Sequence, residues 1–89
     1  MTKSYNEILE QRHTQYGDAT LQHTCAEDMA TVVEDYISNI GIDVKSADLF
    51  TIRMLCLKIT RMISNPKHLD NYADIMGYTE LMKRRYESE

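Results

Sequence analysis

Apolar positions recur at helical spacing in four stretches of the chain, and the last stretch is the most informative. From Leu69 onward, Tyr72, Ile75, Thr79, Met82 and Tyr86 form one seam with 3-4-3-4 spacing, at about 100° per residue. Leu69, Ala73 and Met76 widen it, while Asp70, Asp74, Gly77 and Leu81 fall on a different stripe. Two carboxylates thus share a line one turn apart. A helix apolar around most of its circumference is one that other helices surround, which in a short chain points to self-association.

The other three stretches are amphipathic with clear punctuation. Ser4-Tyr5-Asn6-Glu7 matches a capping box and predicts a first helix with Tyr5, Ile8 and Leu9 inward and Arg12 one turn on. Tyr16-Gly17-Asp18 predicts a hinge, with Gly17 ending one helix and Asp18 capping the next. The second helix is expected over residues 19–40, with a seam of Ala26, Met29, Val33, Tyr36 and Ile40, and Gly41 ends it. Ser46 is the expected cap of a third helix over 47–64, in which Ile52, Leu55, Ile59 and Met62 face one way. Phe50, Met54 and Leu57 form a second apolar patch beside Lys58 and Arg61. Asn65-Pro66 breaks the chain, and the fourth helix runs to about residue 87. Short linkers favour antiparallel neighbours, so the expected fold is all-α, a compact four-helix bundle made from a single domain over 1–89.

Composition narrows the possibilities. A chain of 89 residues buries only about 60% of its unfolded surface and gains from oligomerisation. With 43% hydrophobic and 27% charged residues it reads as globular. A net charge of −4 disfavours general nucleic-acid binding. Cys25 and Cys56 read as buried thiols of a reducing compartment. No apolar run is long enough to span a bilayer, and the N-terminus does not read as a signal peptide, so a cytoplasmic protein is expected.

The candidate chemistry is a set of charges. Asp70 and Asp74 at i and i+4 could hold a divalent cation only with further oxygen ligands. Facing them, the third helix offers the cations Lys58 and Arg61. One reading is a structural ion-pair network across the last hairpin. The other adds Arg12, Tyr16 and Asp18 from the first hairpin and takes the balanced set as a phosphate site. Arginines there would grip the phosphate, and Tyr16, Tyr72 and Tyr78 would frame a base. His13, His23 and His68 lack ligand spacing, and Glu27 and Glu34 read as solvated charge. The six methionines read as core filler. No catalytic triad or Walker loop is present.

Gln11-Arg12, Tyr16-Gly17-Asp18, Lys58-Ile59-Thr60-Arg61 and Asp70-Asn71-Tyr72-Ala73-Asp74-Ile75-Met76-Gly77-Tyr78 resemble a family of small phage and prophage helical proteins with a YGD turn, a K-x-x-R helix and a D-x-W-x-D-I-x-G-Y helix. Tyr72 stands where that family often has Trp. The family is in turn similar, more loosely, to MazG-like all-α nucleotide pyrophosphohydrolases, which hold magnesium with an E-x-x-E helix and an E-x-x-D helix. Lys58 and Arg61 stand as counterparts of the first pair and reverse its charge, which removes half of the metal site.

These readings converge on a phage-encoded, non-catalytic, oligomeric helical protein of the host cytoplasm, without a cofactor. It would bind a nucleotide-like phosphate ligand or a host protein, with Arg12, Tyr16, Asp18, Lys58, Arg61, Asp70, Tyr72, Asp74 and Tyr78 as the ligand-binding set. The alternatives are a divergent magnesium-dependent nucleoside-triphosphate pyrophosphohydrolase, with the cation on Asp70 and Asp74, and an interaction module that inhibits a host enzyme through Phe50, Met54 and Leu57 or the acidic face of the second helix.

Overall fold

In the computed structural model, which describes residues 6–7 and 18–87, three α-helices follow one another: α1 (Ala19–Ile40), α2 (Ser46–Ser64) and α3 (Asp70–Glu87). The expected four-helix bundle is therefore corrected: the described residues form an all-α domain with three helical elements over 18–87. The expected first helix lies outside the described residues except for Asn6 and Glu7, both helical and exposed.

Local chemistry accounts for the boundaries. Asp18 caps α1, its carboxylate accepting from Leu21 N at 3.0 Å. That satisfies one of the amides a helix start leaves unpaired. At the other end Gly41 adopts φ +70°, and its amide donates to Ile37 O and Ser38 O. Ser46 does not cap α2: it is already helical, and Lys45 holds the cap position without a side-chain hydrogen bond. Pro66 lies in the turn before α3, where Tyr72 Oη donates to Pro66 O at 2.8 Å.

The middle helix α2 carries the other two, with α1 and α3 each packed along it. Ala26, Ala30 and Cys56 are the buried apolar residues among those described, and Met29, Ile52 and Leu57 pack against them.

The inward faces are rotated from the expected seams. On α1 the buried residues are Gln22, Ala26 and Ala30, whereas Tyr36 and Ile40 are exposed. On α3 the face toward α2 carries Asn71, Ile75, Tyr78, Met82 and Arg85, while Tyr72 and Met76 are exposed. On α2 the buried set is mostly polar: Asp48, Thr51, Lys58 and Thr60 join Cys56. Apolar periodicity cannot see this, because Asp48, Thr51 and Lys58 turn inward to partners on α3 and Thr60 Oγ1 donates to Leu57 O within α2.

Candidate functional site

Of the expected ligand set, the structure brings together one ion pair beside a cavity. Lys58 extends from the buried face of α2, only 9% exposed, and its Nζ lies 2.8 Å from Asp74 Oδ2 on α3. Asp74 and Tyr78 line a surface cavity of about 280 Å³, together with Ala73, Gly77 and Leu81. Arg61, one turn beyond Lys58, is half-buried. Asn71, one turn before Asp74, is fully buried and its Nδ2 has no hydrogen-bond partner among the described residues.

The rest of the set goes elsewhere. The Asp70 side chain is 85% exposed, and His68 Nε2 stands 3.8 Å from its carboxylate. Tyr72 spends its hydroxyl on the Pro66 carbonyl, and Asp18 is occupied as the α1 cap. Arg12 and Tyr16 lie outside the described residues. The basic pair of α2 and the acidic pair of α3 therefore meet through Lys58 and Asp74, and Asp70 faces solvent. Among the described residues no group of three or more His, Cys, Asp or Glu could hold a metal ion.

A second ion-paired cluster, at the opposite end of the α2–α3 hairpin, was not expected. Asp48, in the first turn of α2, is completely buried. Arg85 Nε donates to its Oδ1 at 2.8 Å, and Tyr86 Oη donates to its Oδ2. Arg85 Nη2 also donates to Thr51 Oγ1 at 3.1 Å. The Tyr86 hydrogen bond, helped by the hydrogen bonds and charge of Arg85 and by the Lys45 charge, holds the Asp48 carboxyl below the usual carboxylate range despite its burial. The Lys45 ammonium lies 5.0 Å from the centre of the Tyr86 ring, a cation–π distance. The signal that could have found this cluster is hairpin geometry. Antiparallel helices set the start of α2 against the end of α3, and Arg85 continues the inward Asn71–Met82 stripe.

A third cluster joins α1 to α2. Arg53 Nη1 donates to both Glu27 carboxylate oxygens, at 2.7 and 2.8 Å, and Nη2 pairs with Glu34. The Glu27 and Glu34 side chains are 67% and 43% exposed, as solvated charge is, and also form the two jaws of an arginine clamp. The thiols differ from expectation: Cys56 is buried, but Cys25 is exposed, because it sits on the outer side of α1 from Ala26 and Gln22. Burial pushes the Cys56 thiol up.

The described geometry is that of a helical domain with three ion-paired clusters between its helices. Residues 1–86 match the family described as "Domain of unknown function (DUF6378)". The chain belongs to this family. The match runs from the first residue to near the end of α3, so the DUF6378 domain includes all three helices and the Lys58–Asp74 and Asp48–Arg85 pairs. No curated protein and no solved structure matches the chain. No helix among the described residues is long and apolar enough to cross a membrane.

Proposed function

We propose that this DUF6378 domain is a non-catalytic association module that works as an assembly of its own copies. The observation that carries this reading is the distribution of apolar side chains. Its buried apolar core among the described residues is Ala26, Ala30 and Cys56, while Leu21, Val32, Tyr36, Phe50, Ile63 and Met76 are among the large apolar residues left on the surface. Leu21, Val32 and Tyr36 lie on one side of α1 with the exposed Ile40. Exposed apolar surface grouped in this way marks an interaction site, and a chain of this length gains stability from covering it.

Thermal unfolding over a dilution series tests it. Association stabilises by mass action, so Tm should rise with protein concentration. Nucleoside triphosphates, with or without magnesium, should leave Tm unchanged and release no pyrophosphate. A Tm independent of concentration overturns the reading.

A second reading is an anion site at the α2–α3 contact, because the buried Asn71 Nδ2, one turn before Asp74, is a donor without a partner among the described residues; neither it nor Lys58 lines the cavity beside Asp74. Metal-independent stabilisation by inorganic phosphate or a nucleotide, lost in Asn71→Ala, would support it. A phosphate site that used Lys58 would also have to detach it from Asp74.

A further inference from the structure

We infer that two copies pair through the outer face of α1, packed antiparallel about a two-fold axis, an inference that rests on the association reading above and names its surface. Leu21, Cys25, Met29, Val32, Tyr36 and Ile40 lie on α1 with 4-4-3-4-4 spacing, which confines them to about 100° of the helix circumference. This stripe flanks the face that α1 buries against α2. Leu21, Val32, Tyr36 and Ile40 are 71%, 68%, 62% and 46% exposed, Cys25 is exposed and Met29 is half-buried.

The occupant follows from the symmetry of the stripe. Its spacing reads the same in both directions, so an antiparallel copy matches every member at once. Leu21 meets the partner's Ile40, Cys25 the partner's Tyr36 and Met29 the partner's Val32. A two-fold interface needs this self-complementarity. The pairing also sets the smallest member of the stripe, Cys25, opposite the largest, Tyr36, as a knob and hole require.

The surface beside Cys25 suits that ring. Leu21, Cys25, Met29, Ile59 and Ile63 wall a groove of about 260 Å³ between α1 and α2. The polar groups on its floor are already spent: Gln22 Nε2 donates to Ser64 Oγ at 3.2 Å, Ser64 Oγ to Thr60 O, and Thr60 Oγ1 to Leu57 O. What remains for an occupant is apolar contact. The exposed part of the stripe with Ile63 amounts to on the order of 600 Å² of side-chain surface, approaching the roughly 800 Å² per partner of a standard interface.

Along the solvent edge of the stripe Asp28 and Asp35 are exposed, and the antiparallel pairing brings Asp28 near the partner's Asp35. This repulsion is at the rim, so rising ionic strength should tighten the dimer.

Light scattering and sedimentation on the full chain, combined with alkylation of Cys25, test the proposal. The wild type should be a dimer whose Cys25 becomes reactive on dilution. Val32→Glu and Tyr36→Glu, each placing a carboxylate in the contact, should weaken dimerisation at least about tenfold and expose Cys25 at all concentrations. Helical content should be kept, since both side chains are exposed within the single chain. Phe50→Glu, away from the stripe, should leave the dimer intact. Tyr36→Cys should cross-link to the partner's Cys25 under mild oxidation, and Ser38→Cys, off the stripe, should not. A dimer that survives both glutamate substitutions, or that salt weakens, overturns this interface and leaves the association reading standing. A monomer at every concentration overturns both.

Discussion

Lys58 and Asp74 form a lopsided pair: the ammonium leaves α2 from a buried position, while the carboxylate it meets at 2.8 Å on α3 is close to half exposed. The two ends therefore differ in what their removal costs. Water can replace Lys58 around Asp74, but nothing nearby replaces Asp74 around Lys58 without structural change. Asp74→Ala should destabilise by about 1–2 kcal/mol, because a buried charge loses its partner, and Lys58→Met should cost less than about 1 kcal/mol. Urea unfolding of the two variants checks the order. Equal costs would mean that the pair is solvated as a unit.

The pH dependence turns on Asp48. Its folded-state carboxyl titrates below the ordinary range, held there first by Tyr86 and then by Arg85. A group depressed on folding contributes stability that is fully present above its unfolded pKa and is lost as pH falls through the folded one. The wild type should therefore lose stability on acidification below the ordinary Asp range. Tyr86→Phe removes the leading hydrogen bond and should shift that loss to higher pH. Urea midpoints measured across the acid range would show the shift, and Asp48→Asn should flatten this part of the profile.

Gly41 offers a clean backbone test. Its φ of +70° lies in the left-handed region, and a Cβ built there meets nothing within 4 Å. The cost of Gly41→Ala is conformational only and should be about 1 kcal/mol. Gly41→Asn, a residue better suited to that region, should recover part of it. Thermal or urea unfolding of the two variants is sufficient.

The two thiols should separate by reactivity. Cys56 is buried and its thiol is pushed up, so thiolate is scarce there, whereas Cys25 lies at the surface. With a thiol reagent near neutral pH, Cys56 should react only as the protein opens, at a rate that follows urea concentration. Reaction of Cys56 in native protein at a rate independent of urea would contradict the packing of Ala26 and Ala30 against Cys56.

Arg53 should respond to salt more than to local packing. It grips Glu27 and Glu34 from a partly exposed position, where screening is effective. Arg53→Gln should be destabilising at low ionic strength, and the difference from wild type should shrink as salt is added. Thermal unfolding in a salt series measures it.

The residue pattern reaches only local structure. Helical periodicity, the Asp18 cap, the left-handed Gly41 and the Pro66 break depend on neighbours along the chain. They set α1 at residues 19–40 and placed the ends of α2 and α3 within a few positions. The Lys58–Asp74 contact was legible too, because a short antiparallel hairpin brings those turns together. Which face turns inward was decided only by the tertiary structure. Asp48, Lys58, Asn71 and Arg85 are polar, so a hydrophobic pattern assigns them to solvent. Asp48, Lys58 and Arg85 are buried or half-buried because α2 and α3 present charged partners to one another, and pairing offsets their desolvation, while the Asn71 amide nitrogen is buried without a partner among the described residues. Tyr36 and Ile40 end outside for the complementary reason: Gln22, Ala26 and Ala30 take the narrow contact with α2, and the bulkier stripe is displaced to the surface.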